Sequence, residues 1–338
     1  MRGHGCDNGF NMKGKHAGVQ KRLHDLNSRA FFVPCGNHLL NLVVNDATLS
    51  CSIAVDCFEI IQEIFNLFSF STHRWSILVK HASTLTVKPL NNTRCESRIE
   101  ALLPSRYQIK ELYDAVYEAS QDVKIDAFGR NTALGIAKKL QSFKFLCCII
   151  TWYEILFKIN MVNKALQKVT SDLPSSMDLV KSVHRFLDNV RSEEGLNNVI
   201  TDVKELADKS VLLPKTLVRP RKIKRDFSYE IEDEPVQAGR TSFKVNFFLV
   251  VLDTALSLLE ERFELMENHS KSFKFLHDIE NLQTRDRKEL KDACTHFHSV
   301  LSDGDECDIN GIELFDELQI FENQCFPLEA LQLKPCHS

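Results

Sequence analysis

The chain has 338 residues, with 42 Lys and Arg against 46 Asp and Glu and a formal net charge of −4. It is 43% hydrophobic and 26% charged, with 12 Gly and 9 Pro. These proportions exclude a chain that is basic throughout and a disordered or turn-repeat chain, and they suit about two globular domains. In chain order, Gly3, Gly5 and Gly9 flank Asp7, a pattern that reads as a turn presenting one carboxylate. A helix is expected over Met12–Leu26, with Val19, Leu23 and Leu26 on one face. The apolar run Ala30–Pro34 reads as a short buried strand leading into Cys35-Gly-Asn-His38 and another helix.

Beyond His38 the pattern is helical almost throughout. Leu39–Leu49 and Ile53–Phe70 are apolar on more than one face, which calls for deep packing. Ser71-Thr72 caps a helix over His73–Ser83 with Trp75, Leu78 and Val79 inward, and Thr93 with Glu96 forms a capping box. Pro104-Ser105 reads as a helix start, Ala127–Leu140 as a further helix, and Phe143–Val169 as the long central helix. Pro174 reads as a break before a helix carrying Leu179, Val183, Phe186, Leu187 and Val190. Residues 214–240 pair a basic block with an acidic one among three prolines, as a charged linker does. Helix resumes over Ser242–Glu267, an acidic loop spans Ser302–Ile312, and a short helix covers Glu313–Glu322. The most apolar runs, Phe145–Tyr153 and Val245–Leu252, are shorter than a bilayer span and read as buried helices. Eleven irregularly spaced cysteines and the absence of a signal-peptide pattern read as reduced thiols in a nuclear or cytoplasmic protein.

Five stretches then fall in a family order: GCDNGFNMKGKHAGVQKRL, FFVPCGNHLLNLVV, STHRWSILVKH, LNNTRCESRIEA and FKVNFFLVVLDTALSLLEERFE. Together they resemble the hAT-type DNA transposases. The likeness is strongest to the transposon-derived proteins described as zinc finger MYM-type protein 1-like or TTF-type zinc finger, hAT-dimerisation proteins. The resemblance implies a mainly α chain: a remnant of a ribonuclease H-like α/β core carrying a large helical insertion domain. It divides the chain into a partial core at 1–50, an insertion in two parts at 51–213 and 241–338, and the linker at 214–240. Members cut DNA with three acidic residues holding two divalent metals, Mg²⁺ or Mn²⁺, which stabilise the attacking and leaving oxygens.

By the same resemblance Asp7 matches the second acid, and Cys35 and His38 match a Cys-x-x-His. The first acid belongs upstream of where this chain begins, and the third in a downstream Ser-Glu-Arg-like stretch that does not occur before Ser338. Cys6, Phe10 and Cys95 stand where the family has Tyr, a small residue and Trp, so a DNA-stacking role at Cys95 is lost. The expectation is a catalytically inactive, transposase-like fragment, domesticated as a nuclear protein that binds nucleic acid. The alternatives are a helical protein-interaction module or a non-functional transposon remnant.

No cofactor is assigned to the chain itself. The expected partners are DNA, bound weakly and without sequence preference, and other transposase-like chains, with no membrane. Phosphate contacts fall to Lys13, Lys15, Arg22, Arg94, Arg221, Lys222, Lys224 and Arg225, although a solvated helix face or linker accounts for the same charges. Cys35 and His38 have zinc-ligand spacing but are half a site, and bracing of the strand-to-helix junction is the plainer role. Gly9–His16 lacks the Ser or Thr of a P-loop, and Glu306–Glu317 has Glu where a calcium-binding EF-hand loop starts with Asp.

Overall fold

The computed structural model describes residues 3–6, 18–27, 31–91, 94–167, 173–210, 240–277, 286–303 and 306–325. The described chain is mainly helical. At its start, β1 (Gly3–Cys6) and β2 (Phe31–Pro34) pair in parallel, with Gly3 opposite Phe31 and Cys6 opposite Pro34. Parallel neighbours require a crossover, and α1 (Val19–Leu26) lies within it. Gly3 and Gly5 are therefore strand residues, a correction to the expected turn. An alternating Gly pattern hides its partner, and only the apolar β2 supplies the ladder. The expected apolar face of α1 is also corrected. Val19 is 40% and Leu26 86% exposed, because no described element packs over them.

The helices that follow form one body around a shared core. They are α2 (Gly36–Leu49), α3 (Ser52–Ser69), α4 (Thr72–His81), α5 (Cys95–Tyr107), α6 (Ile109–Gln121), α7 (Ala127–Leu140), α8 (Phe143–Leu166), α9 (Leu173–Val190) and α10 (Glu193–Ser210). The chain then resumes as helix at Arg240, passes through a π-helical segment at Lys244–Phe248, and continues as α11 (Leu249–His277). The widened turn coincides with a contact to the core, where the Asn246 carbonyl accepts from the Cys51 thiol at 3.0 Å. It also seats Phe247 and Phe248 in the core. α8 is the hub. It packs on α2, α3, α5, α9 and α10, so its sequence is apolar on nearly every side. α11 closes the body against α2 and α9 and also meets β2.

The main core runs from Leu39 to Met266. A second cluster joins the end of α11 to α12 (Arg287–Leu301) and α13 (Gly311–Cys325). Phe31 of β2 leans on it, edge to face with Phe273 at 4.9 Å. α8 and the stretch Arg240–Glu261 are each long and apolar enough to cross a membrane. They extend beyond the short runs read from the sequence, and α8 buries thirteen of its residues.

Several local expectations change for stateable reasons. Ser71 does cap α4, its hydroxyl accepting from the Arg74 amide at 3.2 Å. Arg74, Ile77 and Leu78 of α4 are buried and Trp75 packs half-buried against the core as expected, while Val79 is 44% exposed. Pro104 lies inside α5, not at a helix start, and the helix ends three residues later at Tyr107. Pro174 opens α9 instead of breaking before it, since a first-turn proline loses no helical hydrogen bond. The N-cap of α5 is Arg94 without a side-chain bond, and Thr93 lies outside the described residues. The acidic loop contains a small hairpin, β3 (Ser302–Asp303) against β4 (Glu306–Cys307). Asn310 then accepts from the Ile312 amide at 3.0 Å, as a helix cap rather than a calcium ligand.

Candidate functional site

Three helix ends converge on one polar cleft. α2 contributes Asn41, α5 contributes Arg94, Cys95 and Glu96 at its N-terminus, and α8 contributes Asn160, Asn163 and Lys164, followed by Gln167. They enclose about 310 Å³. The α8 residues are spaced i, i+3, i+4 and i+7, which puts them on one stripe where the all-apolar helix turns polar. Asn41 ties the ends together. Its Oδ1 accepts from the Cys95 amide at 3.1 Å and from Asn163 Nδ2 at 3.3 Å. Asn163 is 4% exposed, and its own Oδ1 is buried with no hydrogen-bond partner among the described residues. A buried carbonyl left unpaired costs about 1–3 kcal/mol.

The charges around the cleft are arranged in depth. Lys164 and Glu96 form an exposed pair at 3.1 Å across the rim. Arg94 is exposed and makes no ion pair among the described residues. One turn further along α5, Arg98 is 4% exposed and donates to Thr48 Oγ1 at 2.8 Å and Asn45 Oδ1 at 3.0 Å. Its guanidinium lies 4.9 Å from the centre of the Phe58 ring. Burial pushes the Cys95 thiol up to about 12, against the opposing effects of the Arg98 charge and the Asn163 hydrogen bond. Cys95 is thus a protonated, packed thiol at neutral pH and not a nucleophile.

The structure brings three of the expected site residues to this end of the molecule. Cys35 caps α2 without a side-chain hydrogen bond and is exposed. His38 lies one turn before Asn41, and its Nε2 is buried without a partner among the described residues. The start of α2 abuts the end of α8, where a Cβ on Gly36 would stand 3.6 Å from Leu166. Arg94 sits at the cleft. Arg22 is exposed on α1. Asp7, Lys13, Lys15, Arg221, Lys222, Lys224 and Arg225 lie outside the described residues.

Among the described residues no group of three His, Cys, Asp or Glu side chains converges as a metal site. Cys35 and His38 offer sulfur and imidazole, not the hard oxygens that Mg²⁺ takes, so they do not fit a two-metal centre. Asn41, Asn160, Asn163, Lys164 and Gln167 had no place in the sequence reading. Their signal was available: one Asn inside the apolar run LLNLVV, and a polar stripe closing a helix that is apolar all round. No protein-family model, no curated protein and no solved structure matches the chain.

Proposed function

We propose that the chain is a hAT transposase-derived, non-catalytic nuclear protein that binds nucleic acid through phosphate contacts. Its β1–α1–β2 unit is a remnant of a ribonuclease H-like core, and its helices are the family's insertion. The observation that carries this reading is convergence. The two family-like motifs Cys35-x-x-His38 and Arg94-Cys95-Glu96, far apart in sequence, meet at one end of the fold through Asn41. The parallel order of β1 and β2 supports the same reading, since the second strand delivers Cys35 to the start of α2.

Affinity for DNA is weak and salt-dependent, because exposed cations neutralise phosphates without reading bases. Fluorescence anisotropy with a random duplex tests this over a salt series. A Kd in the range of about 1–100 µM near physiological salt is expected. Arg94→Ala is expected to reduce the salt slope by about 1. Neutralising Arg219, Arg221, Lys222, Lys224 and Arg225 reduces it further. Sequence-selective binding that survives high salt would contradict the proposal.

A further inference from the structure

We propose that the groove between α9 and α11 is a binding site for a medium-chain alkyl carboxylate, a small amphiphile with one anionic end. This goes beyond nucleic-acid binding and shares no residue with the polar cleft. Three contacts set the register of the two helices. Lys181 lies over the Phe263 ring at 5.0 Å, His184 Nε2 meets Glu260 Oε1 at 3.0 Å, and Arg191 pairs with Asp253. Rising numbers on α9 meet falling numbers on α11, so the pair is antiparallel. Around the first two contacts the helices leave a cavity of about 320 Å³. At its base lie Val180 and Leu259, each 1% exposed and part of the main core. Its accessible wall is the half-buried Phe263 ring together with the methylene stems of Lys181 and Arg185.

The polar groups of the groove specify one end of the ligand. Lys181 and Arg185 are four residues apart on α9, so their charged ends share a face. Both are exposed, and among the described residues neither forms an ion pair. Glu260 is the one carboxylate of the lining, and His184 already engages it. The groove thus offers two cations without an ion-pair partner against one carboxylate that has one. A carboxylate head suits them, because a guanidinium fork takes both of its oxygens while the ammonium approaches as a point charge. A methylene tail suits the wall, where it releases water from the Phe263 ring and needs no hydrogen bond. An apolar wall with a few clustered polar groups is the form of a small-molecule site, and the volume is at the small end of the roughly 300–1,000 Å³ typical of such sites. A cationic amphiphile would meet like charge at the rim, and a small hydrated anion would leave the wall uncovered.

Isothermal titration calorimetry on the full chain tests the groove, with octanoate, hexanoate, acetate, octanol and octylammonium as probes below their micelle concentrations. Octanoate is expected to saturate one site, and acetate, octanol and octylammonium to bind at least tenfold more weakly. A fully buried methylene is worth about fourfold in affinity, so octanoate is expected to bind about four- to sixteenfold more tightly than hexanoate. Lys181→Glu combined with Arg185→Glu is expected to weaken octanoate at least tenfold and to admit octylammonium. Phe263→Ala is expected to flatten the gain from hexanoate to octanoate. Melting temperatures show that each variant folds, and the charge-reversed pair, at exposed positions, keeps the test valid if Phe263→Ala does not. No saturable binding of octanoate, equal binding of octanoate, octanol and octylammonium, or affinity unchanged in the charge-reversed variant overturns the proposal. Binding to phosphatidylglycerol vesicles that octanoate does not displace would assign the groove to a lipid surface and overturn it as well.

Discussion

Trp152 offers a sharp test of how the core is balanced. It lies midway along α8, is 0% exposed, and packs on Phe58 with ring centres 5.3 Å apart. Its indole N–H is buried without an acceptor among the described residues. Two effects therefore oppose each other in Trp152→Phe. Losing part of the ring removes about 40 Å³, which at ~24 cal/mol per Å³ of cavity costs about 1 kcal/mol. The lost carbon burial costs about another 1 kcal/mol. Removing an unpaired buried N–H returns about 1–3 kcal/mol. The net change is expected to fall within about 1 kcal/mol of zero. Trp152→Ala has no such compensation beyond the N–H and is expected to cost at least about 3 kcal/mol. Urea unfolding followed by far-UV circular dichroism measures both variants. The chain has two tryptophans, so Trp75 alone reports by fluorescence in either variant. A loss for Trp152→Phe as large as that for Trp152→Ala would refute the reasoning and show that the indole N–H is satisfied.

Three further outcomes are expected. Gly195→Ala should destabilise by about 1–3 kcal/mol in the same assay, because a Cβ there would overlap the Val190 carbonyl at the tight α9–α10 connection. Hydrogen bonds from Lys80 and His81 hold the Glu118 carboxyl below the usual range, so its contribution is present at neutral pH and lost as pH falls through the folded value. Glu118→Gln should therefore flatten the acid side of a melting-temperature profile between pH 6 and about 3, and an unchanged profile would count against that pair. On catalysis, the chain alone is expected not to nick supercoiled DNA with Mg²⁺ or Mn²⁺, since one matching carboxylate, Asp7, cannot hold two metal ions. Metal-dependent nicking that disappears in Asp7→Asn would reverse this.

The sequence by itself determined the helical character and most helix positions. Apolar periodicity places α2, α3, α7 and α8 almost to their ends, because burying a stripe or a whole helix leaves a local record in residue order. Capping was legible where a side chain meets a neighbouring amide, as at Ser71. The run at Phe31–Pro34 was legible as a strand, but its partner was not, since pairing with Gly3–Cys6 depends on a segment with no apolar pattern of its own. The prolines misled for a related reason. Pro104 reads as a helix start and Pro174 as a break, and only their places within α5 and α9 decide what each does. The cleft belongs wholly to tertiary structure. Asn41 and Asn163 show in the sequence as polar residues in or at the end of apolar helices, but they share no motif with each other or with Cys95, and nothing in residue order says that the three meet. Their proximity, and the unpaired Asn163 carbonyl that follows from it, arises because three helices buried along their lengths must bring their polar ends out at the same place.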